Sequence, residues 1–147
     1  TQAATALARA GLALQAVLGR DATAAAEQYA SLKTMGGTMS GGGCIPMDRL
    51  LGLLAQTMGN LDKAAEHFED ALAFCRKAGY RPELAWSCCD YADCLLNPVG
   101  AGLKPAPTPG DRAKAMALLD EALAISRELG MRPLLERVLS RRQILTA

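Results

Sequence analysis

The sequence GNLDKAAEHFEDALAFCRKAGYRP (Gly59–Pro82) occurs a second time, with changes, as GDRAKAMALLDEALAISRELGMRP (Gly110–Pro133). The two copies align without a gap, 51 residues apart, and share ten identical positions. An internal repeat of this length is typical of a fold in which one structural unit is stacked on the next. The repeat is therefore the first guide to the architecture of the 147-residue chain.

Within each copy, apolar and small residues recur at steps of four and three, which places them on one face of a helix. Asn60 in the first copy and Asp111 in the second are expected to cap the start of that helix. Each copy therefore predicts one amphipathic helix. The expected inward faces are Ala64, Phe68, Ala71, Cys75 and Ala78, and then Ala115, Leu119, Ala122, Ser126 and Leu129.

Both copies end in the tetrapeptide Gly-x-Arg-Pro. Gly79 and Gly130 stand where the C-cap of a helix favours a residue with positive φ. Pro82 and Pro133 stand where the first turn of a new helix tolerates the missing N–H. The tetrapeptide thus predicts the end of one helix, a short turn and the start of the next.

A partner helix is predicted just upstream, over Asp48–Met58. The spacing from there onward resembles the tetratricopeptide repeat, which has Leu-Gly in its first helix, Gly at the turn, and then Ala, an aromatic residue and Ala. Close helix packing explains the pattern, because small residues let two helices approach and an aromatic ring fills the space between units. The matching residues are Leu51, Gly52, Gly59, Ala64, Phe68 and Ala71.

The resemblance implies an all-α, tetratricopeptide-like solenoid of about seven antiparallel helices in one domain spanning 1–147. Three helix pairs would be followed by a C-terminal capping helix at Pro133–Leu145. The arginines of that last helix are expected on its solvated side. They are Arg137, Arg141 and Arg142.

Two segments interrupt the helical pattern. Residues 36–44 are too rich in glycine for a helix and predict a flexible connection. Residues 97–110 are rich in Pro and Gly and predict an inserted, solvent-exposed loop, although a docking segment for an aromatic-lined groove is an alternative.

The segments Arg49–Leu96 and Lys114–Leu139 resemble a more particular group, the helical repeat region of large bacterial signalling proteins. In those proteins the repeats accompany a P-loop ATPase core and a nucleotide-cyclase or DNA-binding output domain. The resemblance implies a regulatory role for the repeats, and the activities of the other domains do not carry over.

The resemblance also implies a binding groove on the concave face, with a protein or peptide as its partner. An aromatic residue beside two carboxylates would suit a basic peptide or a partner helix. One alternative is a small-molecule sensor that uses the same residues, and another is that Trp86 only packs between units beside solvated acids. Exposed apolar ends also leave self-association open. The groove positions implied are Arg49, Leu53, Gln56, Trp86, Asp90 and Asp93.

No enzyme, cofactor or metal site is predicted. The single histidine, His67, follows Glu66 without an HExxH motif and is expected to be a solvated residue. Cys88, Cys89 and Cys94 lack the paired spacing of zinc ligands, and cysteine in a helix behaves as a small apolar residue.

Charge and composition argue against two further classes of function. The net charge is only +1, so the chain has no strong positive field that would attract nucleic acid. The sequence has no run of 18 apolar residues, so no membrane span is predicted. The arginines between Arg132 and Arg142 have no interleaved aromatic residues, so nucleic-acid binding is not expected. The chain has five cysteines in no disulfide framework and no recognisable signal sequence, which together predict a cytoplasmic protein.

Overall fold

A computed structural model describes residues 1–40, 45–96 and 106–147 of the chain. These residues form seven α-helices, one short 3₁₀ helix at Lys33–Met35 and no β-strand. The prediction of an all-α fold is confirmed. The helices are α1 (Gln2–Leu18), α2 (Ala22–Leu32), α3 (Met47–Thr57), α4 (Leu61–Ala78), α5 (Arg81–Leu96), α6 (Pro109–Leu129) and α7 (Arg132–Thr146).

Each helix packs against the next helix along the chain, from α1 on α2 to α6 on α7. Beyond these neighbours, α1 contacts α3, α3 contacts α5, and α5 contacts α7. The odd-numbered helices therefore adjoin one another in series, and side chains from three of them can meet on one surface.

The predicted helix ends are largely confirmed. Gly79 and Gly130 adopt φ values of 74° and 67°, in the left-handed region that glycine enters without steric cost. The side chain of Asn60 accepts a hydrogen bond from the backbone N–H of Lys63 at 3.2 Å. These three residues set the turns on either side of α4 and after α6.

The N-cap predicted at Asp111 is wrong. Helix α6 begins at Pro109, and Thr108 caps it by accepting a hydrogen bond from the backbone N–H of Asp111 at 3.1 Å. The carboxylate of Asp111 in turn accepts from the backbone N–H of Thr108 at 2.9 Å. This reciprocal capping box and the proline in the first turn start the helix inside the predicted loop.

Gly52 provides the close helix approach that the sequence predicts. A Cβ atom added at Gly52 would lie 3.1 Å from the ring of Phe68, so any larger residue would press on a buried aromatic group. Phe68 also stacks on Tyr91 of α5, with ring centroids 5.3 Å apart and planes 17° apart. Phe68 thus joins α3, α4 and α5 in one core.

The cysteines of the described residues are buried in the same core, as their helical positions predict. Burial raises the pKa of the Cys75 thiol to about 11 and that of the Cys89 thiol to about 12. These thiols are protonated at neutral pH and act as apolar packing groups.

The two interruptions fall partly outside the described residues, at 41–44 and 97–105. Over 36–40 the backbone is hydrogen-bonded to the segment that leads into α3. The N–H of Met47 donates to the carbonyl of Thr38, and the N–H of Ser40 donates to that of Ile45, both at 2.8 Å.

Helices α4 and α6, which carry the two copies of the repeat, are joined by ion pairs in a constant register. Lys114 pairs with Glu69, and Arg76 Nη2 lies 2.6 Å from a carboxylate oxygen of Glu121. In the repeat alignment, Lys114 corresponds to Lys63, which lies six residues before Glu69. Glu121 corresponds to Asp70, which lies six residues before Arg76. Both ion pairs therefore join α4 and α6 with the same offset in the repeat.

Among the helices of the described residues, none has the length and apolar content that a membrane crossing requires.

Candidate functional site

The six groove positions form two identical patterns. Arg49, Leu53 and Gln56 recur on α3 at steps of four and three, and Trp86, Asp90 and Asp93 do the same on α5. Such steps place each set on one helical face. Because α3 contacts α5 and α5 contacts α7, the two sets can meet each other and the last helix.

Asp90 lies between arginines from both neighbouring helices. Arg49 of α3 donates from Nε to Oδ2 of Asp90 at 2.7 Å, and Arg137 of α7 donates from Nη2 to Oδ1 at 2.8 Å. Only 4% of Asp90 is exposed. A carboxylate so deeply buried requires charged or hydrogen-bonding partners, and here each of its oxygens has one.

Trp86, one turn before Asp90, lies between the same two arginines. The guanidinium carbons of Arg49 and Arg137 are 5.5 Å and 6.0 Å from the centroid of the Trp86 ring. Both distances are within cation–π range. The two arginines therefore hold an aromatic ring and a carboxylate together on the middle helix.

Further ion pairs extend this arrangement along the helices. Glu83 accepts from Arg49 at 3.0 Å. Asp93 accepts from Arg137 at 2.8 Å and from Arg141 at 2.6 Å. Three guanidinium groups thus face three carboxylates. We call this group the ion-pair cluster, and with the enclosed Trp86 it consists of Arg49, Glu83, Trp86, Asp90, Asp93, Arg137 and Arg141.

Two groups of the cluster have shifted pKa values. Burial acts to lower the pKa of Arg137, but the charges of Asp90 and Asp93 outweigh it, and the net shift is upward. Burial raises the pKa of Glu83 above its usual value, and the neighbouring Arg49 offsets only part of that effect. Arg137 is therefore a permanent cation, while Glu83 is ionised with more difficulty than an ordinary glutamate.

A cavity of about 460 Å³ adjoins the cluster. Four of the six predicted groove residues line it. Arg49 and Trp86 are not among the lining residues, but Arg49 binds Asp90, and Trp86 lies beside both arginines that bind Asp90. The lining residues are Arg20, Leu53, Gln56, Asp90, Asp93, Arg137 and Arg141.

Arg20 enters the cavity from the turn between α1 and α2. It is exposed and has a φ of 53°, and among the described residues it is the one non-glycine residue with positive φ. Residues other than glycine rarely adopt that backbone conformation. Within residues 1–40, 45–96 and 106–147, Arg20 has no ion-pair partner.

The expectation that the α7 arginines are solvated is wrong. Arg137 and Arg141 belong to the ion-pair cluster, and Arg142 lies 3.0 Å from the carboxylate of Asp120. The interpretation of Asp90 as a solvated acid is wrong for the same reason. These arginines face α5 and α6 because carboxylates there lie opposite them.

Sequence reasoning did not assign Arg20, Glu83, Arg137 or Arg141 to the groove. The sequence does contain one indication for two of them. Arg137 and Arg141 are one turn apart on α7, as Asp90 and Asp93 are on α5, so the two pairs could face each other. No sequence pattern marks Arg20, which lies in a turn.

The expectation that His67 is solvated is also wrong. Only 16% of its side chain is exposed, and its Nε2 lies 2.9 Å from the hydroxyl oxygen of Tyr29 on α2. His67 is therefore part of a second polar cluster, on the side of α4 that faces α2 and α3.

Comparison of the chain with protein-family models, curated proteins and solved structures gives no match.

Proposed function

We propose that this chain is a protein-interaction module that binds a segment of a partner protein on the surface formed by α3, α5 and α7. One observation carries the proposal. Six residues chosen from sequence, on helices more than twenty residues apart, lie together beside a cavity of about 460 Å³. Trp86 and the two arginines beside it are half-buried, and Trp and Arg are residue types that dominate binding at protein interfaces.

The proposed architecture is a tetratricopeptide-like α-solenoid of antiparallel helix pairs that ends in α7. Three observations support it: the sequence repeat, the packing of each helix on the next, and the constant register of the ion pairs between α4 and α6. In such a stack the first helices of successive units adjoin, as α3, α5 and α7 do here.

We propose an acidic partner segment. A basic peptide would have to displace Arg137 or Arg141, because the carboxylates of Asp90 and Asp93 are already paired with them. An incoming carboxylate would instead find Arg20, which has no ion-pair partner among the described residues, and Arg141, whose side chain is 33% exposed. Arginine binds carboxylates through two parallel hydrogen bonds, so such contacts add specificity as well as affinity.

The same proposal gives the chain a regulatory role rather than a catalytic one. The ionisable groups of the cluster are paired with one another, which suits recognition of a partner. The buried, protonated thiols suit a reducing compartment, so a cytoplasmic segment of a signalling protein is part of the proposal.

A peptide-display selection on the immobilised chain tests the proposal. We expect the recovered peptides to be enriched in Asp and Glu and to bind an Arg20→Ala variant at least about tenfold more weakly, which corresponds to the loss of a charged hydrogen bond. Alanine has a Cβ atom, as arginine does, so the steric cost of a positive φ at this position stays the same. The substitution therefore tests the loss of the guanidinium side chain and not a change in the backbone.

Arg112→Ala is the matched control, because Arg112 is exposed on α6 and does not line the cavity. Its variant should bind the selected peptides as the wild type does. Enrichment of basic peptides, or equal losses in the two variants, would refute the proposed surface.

A small-molecule sensor is the second candidate. The cavity volume lies within the usual range for small ligands, although such sites are mostly apolar and this one is lined largely by charged side chains. A small dicarboxylate is the ligand class that would fit. Saturable binding of succinate or malate at micromolar concentration, abolished by Arg20→Ala, would favour this function over peptide binding.

A further inference from the structure

A second polar cluster lies outside the proposed partner surface. The cluster consists of Asp48, in the first turn of α3, and of His67 and Asp70, one turn apart on α4, and each residue offers one ligand atom. These three atoms lie within 4.8 Å of one another. Nδ1 of His67 is 3.7 Å from Oδ1 of Asp48, which is only 4% exposed.

Neighbouring groups already orient the buried Asp48 and the half-buried His67. Nε2 of His67 lies 2.9 Å from the hydroxyl oxygen of Tyr29, and the backbone N–H of Gly37 donates to Oδ2 of Asp48 at 2.6 Å. Outer contacts of this kind hold a metal-binding histidine ring and a metal-binding carboxylate in position. The two atoms that these contacts do not use, Nδ1 of His67 and Oδ1 of Asp48, lie 3.7 Å apart.

The Nδ1 atom of His67 is buried and has no hydrogen-bond partner among the described residues. In the tautomer with the ring proton on Nε2, where the Tyr29 hydroxyl oxygen can accept it, Nδ1 carries a lone pair 3.7 Å from Oδ1 of Asp48. A cation bound at this point would accept electron pairs from Nδ1 and from the two carboxylates.

We propose that Asp48, His67 and Asp70 bind one divalent transition-metal cation of the Zn²⁺ type. One imidazole nitrogen and two carboxylate oxygens are a ligand set suited to such cations. Asp70 is exposed, so the cation can enter from solvent and retain water at its remaining position. The bound ion links α3 to α4 and, through Tyr29, to α2.

His67 is the only histidine of the chain, so its ring protons give an unambiguous NMR signal. We expect one equivalent of Zn²⁺ to shift or broaden these signals in the full chain. An Asp70→Asn variant removes an exposed ligand without disturbing the core, and it should weaken Zn²⁺ binding by more than about 100-fold. Tyr29→Phe should weaken it by about 10- to 100-fold, the usual effect of losing an outer contact.

Asp62→Asn is the matched control, since Asp62 is an exposed acid on α4 outside the cluster. It should bind Zn²⁺ as the wild type does, and far-UV circular dichroism should confirm equal helicity in all variants. The proposal is overturned if saturating Zn²⁺ leaves the His67 signals unchanged, even where calorimetry detects binding, because the ion would then be held by cysteines or surface acids. Equal affinity in Asp70→Asn and wild type would overturn it as well.

Discussion

Arg137 on α7 donates a hydrogen bond to the buried carboxylate of Asp90 on α5, with 2.8 Å between Nη2 and Oδ1. The two residues are 47 positions apart in the chain. The contact attaches the last helix to the middle of the proposed partner surface. Helix α7 is therefore part of that surface, and its arginines set the surface charge.

Removing the Asp90 carboxylate should destabilise the fold. In Asp90→Ala, Arg49 and Arg137 lose a shared partner while they remain largely buried, and an uncompensated buried charge is costly. Because Arg49 keeps Glu83 and Arg137 keeps Asp93, we expect a loss of about 3 kcal/mol, the lower end of the range for a broken buried ion pair. Urea unfolding followed by circular dichroism measures it.

The control for this prediction is Glu128→Ala, which breaks the solvent-exposed pair with Arg81. Its effect on the urea midpoint should be far smaller, because water screens exposed charges. Equal destabilisation by the two variants would show that Asp90 has no special structural role.

Gly52→Ala tests the close approach of α3 and Phe68. The new methyl group would lie 3.1 Å from a ring that is fully buried and stacked on Tyr91, so the ring cannot move away without strain. We expect destabilisation of about 1–3 kcal/mol from overpacking. Thermal unfolding of the variant should show a lower midpoint.

Gly11→Ala provides the matched comparison. Gly11 lies inside α1, and a Cβ atom there would have no neighbour within 4 Å. The substitution should stabilise the chain by about 0.5–1 kcal/mol, because alanine favours the helix over glycine. If both substitutions shifted stability in the same direction, packing against Phe68 would not be the cause.

The buried thiols predict a fall in stability at high pH. Burial raises the pKa of Cys75 to about 11 and that of Cys89 to about 12 in the folded chain, against 9.0 for the unperturbed thiol. Above pH 9 the unfolded chain loses these protons first, so the free energy of unfolding decreases up to the folded pKa values. Each thiol contributes at most about 1.4 kcal/mol per pH unit.

Urea midpoints at pH 8 and pH 10.5 measure this effect. Lysine and tyrosine groups also titrate in that interval, so the comparison requires a variant with Cys75→Ala and Cys89→Ala. Its midpoint should fall less steeply with pH than that of the wild type. Identical slopes would show that these thiols do not carry the dependence.

Local chemistry made part of the fold predictable from sequence. Gly79, Gly130 and Asn60 act within one turn of their own positions, so their roles follow from neighbouring residues alone. Asp111 was assigned wrongly because Thr108, three residues earlier, competes for the same role and Pro109 starts the helix.

The candidate sites were less predictable because they depend on contacts between distant helices. The sequence placed Trp86, Asp90 and Asp93 on one face, but nothing local indicates that Arg137 neutralises both acids. The environment of His67 was missed for the same reason, since Tyr29 and Asp48 reach it from two other helices. Long-range pairing of charges is set by the packing of helices, not by their individual patterns.

The fluorescence of Trp86 tests the central claim most directly, because it is the only tryptophan and lies within the proposed partner surface. A peptide recovered from the display selection would be titrated into the wild type, Arg20→Ala and Arg112→Ala. We predict a saturable change in emission for the wild type and Arg112→Ala, and at least about tenfold weaker binding to Arg20→Ala. A peptide that binds without changing Trp86 emission, and binds all three equally, would contradict the claim that α3, α5 and α7 form the partner surface.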